Sequence, residues 1–176
     1  LEFRRVLFRS AGIYWVDVPS ATVVDFVPIP CIWGFQPAGG REVDPGVPLV
    51  VQYSEVSEDG ASCALDDRVG VLLPGSDEIT FVIERGADDG FPTMSADGSL
   101  LAVGGGSLTI MDVATGDIVR EFDLGGVSTI SADGTEVLAG YQPLQLRSVE
   151  TGELLMSFPG LYSQAWFSSD GSQVYV

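Results

Sequence analysis

The chain has 176 residues and a formal net charge of −17, because 25 acidic residues face only eight arginines and no lysine or histidine. A field of this sign repels phosphate, which argues against nucleic acids and anionic membrane surfaces as partners. With no histidine and two cysteines, the sequence lacks the usual ligands of a structural zinc ion and a histidine base for a nucleophile. We therefore predict no catalytic residue, no metal ligand and no cofactor-binding residue in this chain.

The first ten residues, Leu1–Ser10, match at every position an in-frame translation of a common sequencing-library adapter, CTGGAGTTCAGACGTGTGCTCTTCCGATCT. A basic targeting segment with this sequence would require a long coincidence, so we predict that residues 1–10 are adapter-derived. We exclude them from the fold prediction, which begins at residue 11, and expect the native N-terminus to lie further upstream.

Residues 13–27 form the first predicted strand pair. Two runs of β-branched and aromatic residues flank a turn that begins at Pro19. Asp17 of this pair aligns with Asp112 of a repeat unit later in the chain. The pair is therefore the second half of a four-stranded unit.

Residues 28–48 interrupt the pattern with five of the ten prolines in the chain. Proline cannot donate to a central strand ladder, so we predict an irregular insertion here. The segment is either a protruding binding loop that carries Trp33 and Phe35, or a diverged unit whose Phe-Gln-Pro-Ala-Gly-Gly run was once a hairpin turn. The sequence leaves open whether Cys31, in this segment, pairs with Cys63.

A turn of the form Ser-x-Asp-Gly recurs along the rest of the chain. Its copies begin at Ser57, Ser95, Ser131 and Ser168, at spacings of 38, 36 and 37 residues. Two whole units, Ser95–Phe122 and Ser131–Phe158, agree at 10 of 28 positions without a gap, which unrelated hairpins would not do. Such even spacing of similar segments indicates a structural repeat.

The sequence of each repeat unit predicts four strands joined by tight turns. Asp-Gly turns close the first hairpin and Thr-Gly turns, at 115–116 and 151–152, close the second, because glycine tolerates positive φ. The units and their remnants lie near 11–27, 50–83, 91–122, 126–158 and 162–176. The predicted strands are 50–56, 62–65, 69–73 and 79–83 in one unit, and 126–131, 135–139, 143–149 and 153–158 in the clearest one.

Two runs characterise the repeat: Ser-Ala-Asp-Gly-Ser-Leu-Leu-Ala-Val-Gly-Gly-Gly from Ser95 and Ile-Met-Asp-Val-Ala-Thr-Gly from Ile110. With these runs, the repeat resembles the blades of bacterial WD-repeat and YVTN-type β-propellers. Met111-Asp112 and Arg147-Ser148 stand where typical WD repeats have Trp-Asp. The resemblance implies an all-β fold, a partial β-propeller of four-stranded antiparallel blades. The resemblance also implies a ring with more blades than the parts of five that this chain has, so we expect an open arc rather than a closed ring.

Repeated apolar positions predict which residues face a neighbouring blade, because their surface must be removed from water. In the first copy they are Val103, Leu108, Ile110, Val113, Ile118 and Phe122. In the second copy they are Val137, Ala139, Leu144, Leu146, Val149, Leu154 and Phe158. Open blade edges also predict self-association, so we expect the chain alone to form oligomers or aggregates.

The predicted function is that of a non-catalytic scaffold that binds a protein partner. Each Ser-x-Asp-Gly turn offers one carboxylate, which is too few for a calcium loop. One alternative is a surface or envelope propeller with a structural or adhesive role. Another is part of a propeller enzyme, a lyase or a quinoprotein-like dehydrogenase, whose site lies outside this chain. The quinoprotein alternative is the weaker, because Trp15, Trp33 and Trp166 fall at non-equivalent places in the repeat.

The loops that follow the second and fourth strands of each unit vary between copies, as recognition loops on a rigid scaffold do. They predict a partner-binding surface formed by Asp66, Asp67, Arg68, Asp88, Asp89, Tyr141 and Gln142. The two aspartate pairs are interpreted first as ordinary solvated loop charges. The alternative is that they bind a cation or an arginine- and lysine-rich partner.

Overall fold

The computed structural model describes residues 4–9, 12–17, 22–28, 31–37, 48–54, 68–84, 92–168 and 171–176. The regular elements in these ranges are β-strands, and their pairings are antiparallel. The described ranges contain no helix that is long and apolar enough to cross a membrane. The chain divides into two compact units: residues 1–37 with 42–85, and residues 38–41 with 86–176.

The described part of the first unit contains two sheets. A three-stranded sheet has the order β1 (Arg4–Arg9), β2 (Gly12–Asp17), β3 (Thr22–Pro28). A four-stranded sheet has the order β4 (Ile32–Pro37), β5 (Leu49–Tyr53), β6 (Arg68–Leu72), β7 (Ile79–Glu84). Its two central strands are almost entirely buried, as short continuous apolar runs predict.

The second unit contains two four-stranded sheets and a two-stranded one. The first is built from β8 (Thr93–Met94), β9 (Leu100–Val103), β10 (Leu108–Asp112) and β11 (Ile118–Phe122), paired in chain order. The second is built from β12 (Val127–Ile130), β13 (Glu136–Gly140), β14 (Leu144–Ser148) and β15 (Leu154–Phe158), also in chain order. β16 (Trp166–Phe167) and β17 (Val174–Tyr175) form the last. The four strands predicted between residues 126 and 158 are confirmed.

Serine and aspartate side chains shape the first hairpin turn of both four-stranded sheets in the second unit. Asp97 Oδ1 accepts hydrogen bonds from Ser95 Oγ at 2.7 Å and from the backbone N–H of Ser99 at 3.0 Å. Ser95 Oγ accepts in turn from the backbone N–H of Leu100 at 3.0 Å. The later copy makes the same three bonds, at 2.7, 3.1 and 3.0 Å, with Ser131, Asp133, Thr135 and Glu136. The repeated motif therefore uses its side-chain oxygens to hold the turn, as the hairpin interpretation predicts.

The second hairpin turn of these sheets is held in a similar way. Asp112 Oδ1 accepts from two backbone N–H groups of the turn, both at 2.9 Å. In the later copy Ser148 replaces Asp112, and its Oγ accepts one hydrogen bond, from the backbone N–H of Thr151 at 3.2 Å. Gly116 and Gly152 have φ values of 78° and 76°, a left-handed conformation that glycine adopts without steric cost.

Apolar packing and an arginine join the two four-stranded sheets of the second unit. Arg120 of β11 donates from Nε to the carbonyl of Val149 at 3.2 Å and from Nη2 to the carbonyl of Glu150. The second sheet also packs Leu138 and Leu144 against Ala165, just before β16. A buried cluster draws on both four-stranded sheets and consists of Ala102, Leu108, Ile110, Phe122, Ile130, Val137, Ala139 and Val149.

Most of the predicted core positions are confirmed. Nine are buried: Val103, Leu108, Ile110, Val113, Phe122, Val137, Ala139, Leu144 and Val149. Leu146 and Phe158 are half-buried. The prediction is wrong for Ile118 and Leu154, which are 57% and 46% exposed. They lie on β11 and β15, the outermost strands of their sheets among the described residues, where fewer neighbours cover a side chain.

The segment that the prediction attributes to an adapter contains a strand. Arg4–Arg9 pairs with β2 along its whole length, from Arg4 opposite Asp17 to Arg9 opposite Gly12. An open strand edge accepts a β-prone segment that lies beside it, and Arg-Arg-Val-Leu-Phe-Arg is such a segment. This pairing corrects the expectation that residues 1–10 take no part in the fold. Their adapter origin stays a prediction.

Residues 28–48 also differ from the prediction, because they contain β4. This strand pairs with β5, so the segment is not irregular throughout. Pro28 ends β3 and Pro37 ends β4, and β4 lies at the edge of its sheet, where proline is tolerated. The prolines therefore mark strand ends here rather than the absence of strands.

The presence of β4 changes the strand order predicted for the next unit. β5 pairs directly with β6, from Leu49 opposite Leu72 to Tyr53 opposite Arg68. Residues 49–53 are thus the second strand of their sheet, whereas the repeat spacing makes 50–56 the first. Residues 62–65, predicted as the second strand, lie outside the described residues. Cys31, which precedes β4, is disulfide-bonded, and Cys63 lies outside the described residues.

Candidate binding cleft beside Tyr141

The connections of an antiparallel sheet alternate between its two ends, because each strand reverses the direction of the chain. In the second unit, the Ser-x-Asp-Gly and Thr-Gly turns lie at the same end of the four-stranded sheets, which we call the turn end. The opposite end, which we call the cleft end, carries the connections at residues 104–107, 123–126, 141–143 and 159–165.

A cleft of about 580 Å³ opens at the cleft end. Its volume lies within the range of about 300–1,000 Å³ that is usual for ligand sites. Leu161 forms part of its wall and is 75% exposed. The cleft is therefore open to solvent on this side. The lining residues are Asp123, Leu124, Gly125, Gly140, Tyr141, Gln142, Pro143, Gln145 and Leu161.

The ring of Tyr141 rests directly on the backbone of Gly126. A Cβ atom at Gly126 would lie between 2.4 and 2.7 Å from three atoms of the ring, so no larger residue fits there without moving it. Gly126 also has a φ of 111°, a conformation that other residues rarely adopt. The ring is thus supported by the backbone while 53% of the residue stays exposed.

Close backbone contacts fix the connections that surround this ring. A Cβ atom at Gly125 would lie 2.7 Å from the carbonyl oxygen of Gly105, and Gly126 donates its N–H to the same oxygen at 3.1 Å. Tyr141 in turn accepts a hydrogen bond at its carbonyl from the N–H of Tyr162 at 3.2 Å. The Gln142–Pro143 peptide bond is cis. The shape of the cleft therefore depends on backbone contacts between segments that are distant in sequence.

The polar side chains of the cleft are an acid, two amides and a phenol. Gln145 is oriented by Arg147, whose Nε donates to Gln145 Oε1 at 2.8 Å. Arg147 also donates from Nη1 to the carbonyl of Gly152 at 2.8 Å, and its guanidinium lies 5.8 Å from the ring centroid of Phe122. Asp123 is the one charged side chain among the lining residues. The cleft is therefore mildly acidic and partly apolar.

Among the residues that the structure describes, the two aspartates with altered acidity lie at the turn end. The hydrogen bond from Ser95 Oγ is the main reason why the pKa of Asp97 lies below its ordinary value of 3.8. Ser131 Oγ lowers the pKa of Asp133 in the same way. These shifts arise from the hairpin turns and give the cleft no acid or base. The part of the chain that the structure describes also contains no group of three potential metal ligands.

The structure brings together two of the seven predicted site residues. Tyr141 and Gln142 both line the cleft. Arg68 is the first residue of β6 in the first unit, opposite Tyr53 and Glu84 in the strand ladders. The remaining four, Asp66, Asp67, Asp88 and Asp89, lie outside the described residues.

Seven of the nine lining residues were missed by sequence reasoning, and they include Asp123, Gln145 and Leu161. Asp123 follows the fourth strand of its sheet. The partner-binding residues were predicted from loops that follow the second and fourth strands, so the same criterion applied to residues 123–126 selects Asp123. Gln145 lies within a strand and Leu161 follows the last strand of its sheet. Neither carries a local signal, because the packing of the connections determines their place in the cleft.

Comparison with known proteins identifies the fold. Neither a family profile nor a curated protein matches the sequence. The β-propeller domain of Cps50 (Swd1) from Myceliophteria thermophila is similar with a TM-score of 0.65 at 12% identity, over 97% of this chain and 57% of that one. A eukaryotic initiation factor is similar with a TM-score of 0.63 at 13% identity, over 97% of this chain and 44% of that one. The chain thus spans about half the length of each. Together with the repeated four-stranded sheets, these similarities show a β-propeller fold, and at this identity they show the fold alone.

Proposed function

We propose that this β-propeller is a protein-binding module and that it contacts its partner at the cleft end of the second unit. The position of the cleft supports the proposal, because it is formed by connections that differ between the repeat copies. Such connections carry recognition residues on many rigid scaffolds, since a change there leaves the sheets intact. The β-propeller fold is compatible with a scaffold role, while the partner has to be argued from the site.

The observation that carries the proposal is the supported ring of Tyr141. Its packing on Gly126 fixes the ring before a partner arrives, and its 53% exposure leaves it available for contact. Tyrosine offers a large contact area with few rotatable bonds, so a tyrosine that is already fixed loses little entropy on binding. Tyrosine is also common among the residues that dominate binding energies at interfaces.

The other polar groups of the cleft suit recognition. Asp123 supplies a carboxylate, Gln142 and Gln145 supply amides, and Tyr141 supplies a hydroxyl. This set matches the mixture of apolar and hydrogen-bonding surface that is usual at protein interfaces.

A displayed library of random short peptides tests the proposal. Peptides are selected on the wild-type chain, and their affinities are then measured for Tyr141→Ala and Tyr175→Ala. Tyr175 is the matched control, a similarly exposed tyrosine on β17 outside the cleft. We expect Tyr141→Ala to weaken binding by about tenfold or more, the scale of an interface hot spot, and Tyr175→Ala to leave it unchanged. Selected peptides that bind both variants like the wild type would refute the cleft as the contact surface.

A further inference from the structure

We infer that the cleft takes an extended peptide segment of the partner, with an arginine or lysine side chain against Asp123 and a neighbouring apolar side chain against Leu161. The inference rests on the proposed function and specifies the chemistry of the partner. It draws on three features of the lining: its charge, the ring of Tyr141 and the orientation of Gln145.

The lining of the cleft carries one charge, and that charge is negative. Asp123 is its one ionised side chain, and no arginine belongs to the lining. The guanidinium of Arg147, on the same strand as Gln145, is already engaged by Gln145, by a backbone carbonyl and by the ring of Phe122. An acidic segment would be repelled by Asp123 and by the net charge of −17, whereas a basic segment is attracted by both.

Tyr141 adds a surface that suits the same cation. A lysine or arginine head is attracted to the face of an aromatic ring when it lies within about 6 Å of the centroid. The methylene groups of either side chain also pack on apolar surface while the charged head stays near water. Because Asp123 and Tyr141 line one cleft, a long cationic side chain fits the space that they share.

The amide of Gln145 is oriented to bind a carbonyl group. Its Oε1 accepts from Arg147 Nε at 2.8 Å, so the remaining polar atom of the amide, Nε2, is a donor. An extended peptide backbone presents carbonyl oxygens that such a donor binds. Leu124, Pro143 and Leu161 supply the apolar part of the lining, which favours an apolar residue beside the cation.

Peptide sublibraries with one fixed residue test this inference. Each is random apart from a central Arg, Lys, Glu, Leu or Phe, and each is titrated against the wild type, Asp123→Asn, Tyr141→Ala and the control Tyr175→Ala. We expect the Arg and Lys sublibraries to bind about tenfold more tightly than the Glu sublibrary. Most of that preference is expected to disappear in Asp123→Asn and at high salt, because both remove the attraction between charges. Asparagine keeps the shape of the exposed Asp123 side chain, so the fold is retained.

A second measurement isolates the charge of the ligand. The arginine of a tightly binding peptide is replaced by citrulline, a neutral side chain of similar shape, and we expect the affinity to fall about as much as in Asp123→Asn. Unchanged affinity for the citrulline peptide would overturn the inference. If another sublibrary binds best and its binding still depends on Tyr141, the inference is also overturned, but the proposed function stands. If no sublibrary depends on Tyr141, both fail.

Discussion

The turn end and the cleft end of the second unit keep the repeat to different degrees. At the turn end, Ser95 and Ser131 make the same hydrogen bonds to their aspartates, both at 2.7 Å. At the cleft end, the first copy has Gly104-Gly105-Gly106 where the second has Gly140-Tyr141-Gln142, and only the second contributes to the cleft. A turn whose own side chains hold its backbone loses stability when those side chains change. A connection held by backbone contacts can acquire a new side chain, and recognition can develop there.

The largest expected effect on the free energy of unfolding concerns the packed core of the four-stranded sheets, between the turn end and the cleft end. Phe122 and Phe158 occupy the same repeat position, but Phe122 is buried in the cluster shared by the two sheets and Phe158 is half-buried. Phe122→Ala is expected to lower the free energy of unfolding by about 3–5 kcal/mol, because it leaves a cavity in the core. Phe158→Ala is expected to cost about half as much or less. Equal losses in denaturant titrations would mean that the two copies are packed alike.

Removal of a turn hydroxyl tests the turn end directly. Ser131→Ala deletes both the donor to Asp133 and the acceptor for the N–H of Glu136, and Ser131 is buried. We expect a loss of about 1–3 kcal/mol in the free energy of unfolding. The matched control is Ser107→Ala, an exposed serine in a cleft-end connection, which is expected to change little. A similar loss in both variants would remove the distinction between the two ends.

Gly126→Ala tests the support of the Tyr141 ring. The added Cβ meets the ring at less than 3 Å, whereas Gly171→Ala places a Cβ in open space at a comparably left-handed φ of 72°. Both variants are expected to lose about 1–2 kcal/mol through backbone strain. Only Gly126→Ala is expected to shift the ring resonances of Tyr141 in NMR spectra and to weaken the selected peptides. Unperturbed Tyr141 resonances in Gly126→Ala would show that the ring does not rest on this backbone.

The turn end is also expected to respond to acid. Asp97 and Asp133 have pKa values below 3.8 in the folded chain, so their contribution to stability is complete above that pH. It is lost as the pH falls through their folded pKa values, because protonation then removes the accepted hydrogen bonds. Unfolding titrations of the wild type and of the Asp97→Asn, Asp133→Asn double variant should therefore converge as the pH falls below 3.8 and through the folded pKa values. A difference between them that stays constant down to pH 2 would contradict this origin.

The smallest effect on stability is expected for Tyr141→Ala. The residue is largely exposed, and surface substitutions of this kind usually change the free energy of unfolding by about 0.5 kcal/mol or less. The same variant is expected to show the largest loss of peptide affinity. A strong destabilisation by Tyr141→Ala would indicate that the tyrosine is retained for packing instead of recognition.

The parts of the molecule that sequence reasoning predicted are those with local causes. The strands between 126 and 158 were predictable because each hairpin turn is held by its own Ser, Thr or Asp side chains. The place of Tyr141 and Gln142 in a cleft-end connection was predictable because they follow the second strand of a unit. Each of these inferences needs only residues that are near one another in sequence.

The parts that sequence reasoning missed depend on contacts between distant segments. The sequence did not predict β4 because proline usually indicates the end of a strand. Proline is compatible with a strand only when that strand lies at the edge of its sheet, which the sequence does not reveal. The exposure of Ile118 and Leu154 follows from the outer position of their strands, which a repeat of apolar residues does not reveal. Gln145 joins the cleft because the 123–126 and 141–143 connections approach each other, and that approach depends on tertiary packing.

The outer strand β15 has a consequence for the behaviour of the protein in concentrated solution. Its residues Leu154, Leu155, Met156 and Ser157 are exposed and uncharged. In the first copy, the repeat positions of Met156 and Ser157 are occupied by Arg120 and Glu121 of β11. Charged residues on an outer strand act as gatekeepers against pairing between molecules. β15 lacks them, so the mutual repulsion of chains with a net charge of −17 has to supply this protection. Salt screens that repulsion, and colloidal stability should therefore decrease as ionic strength rises.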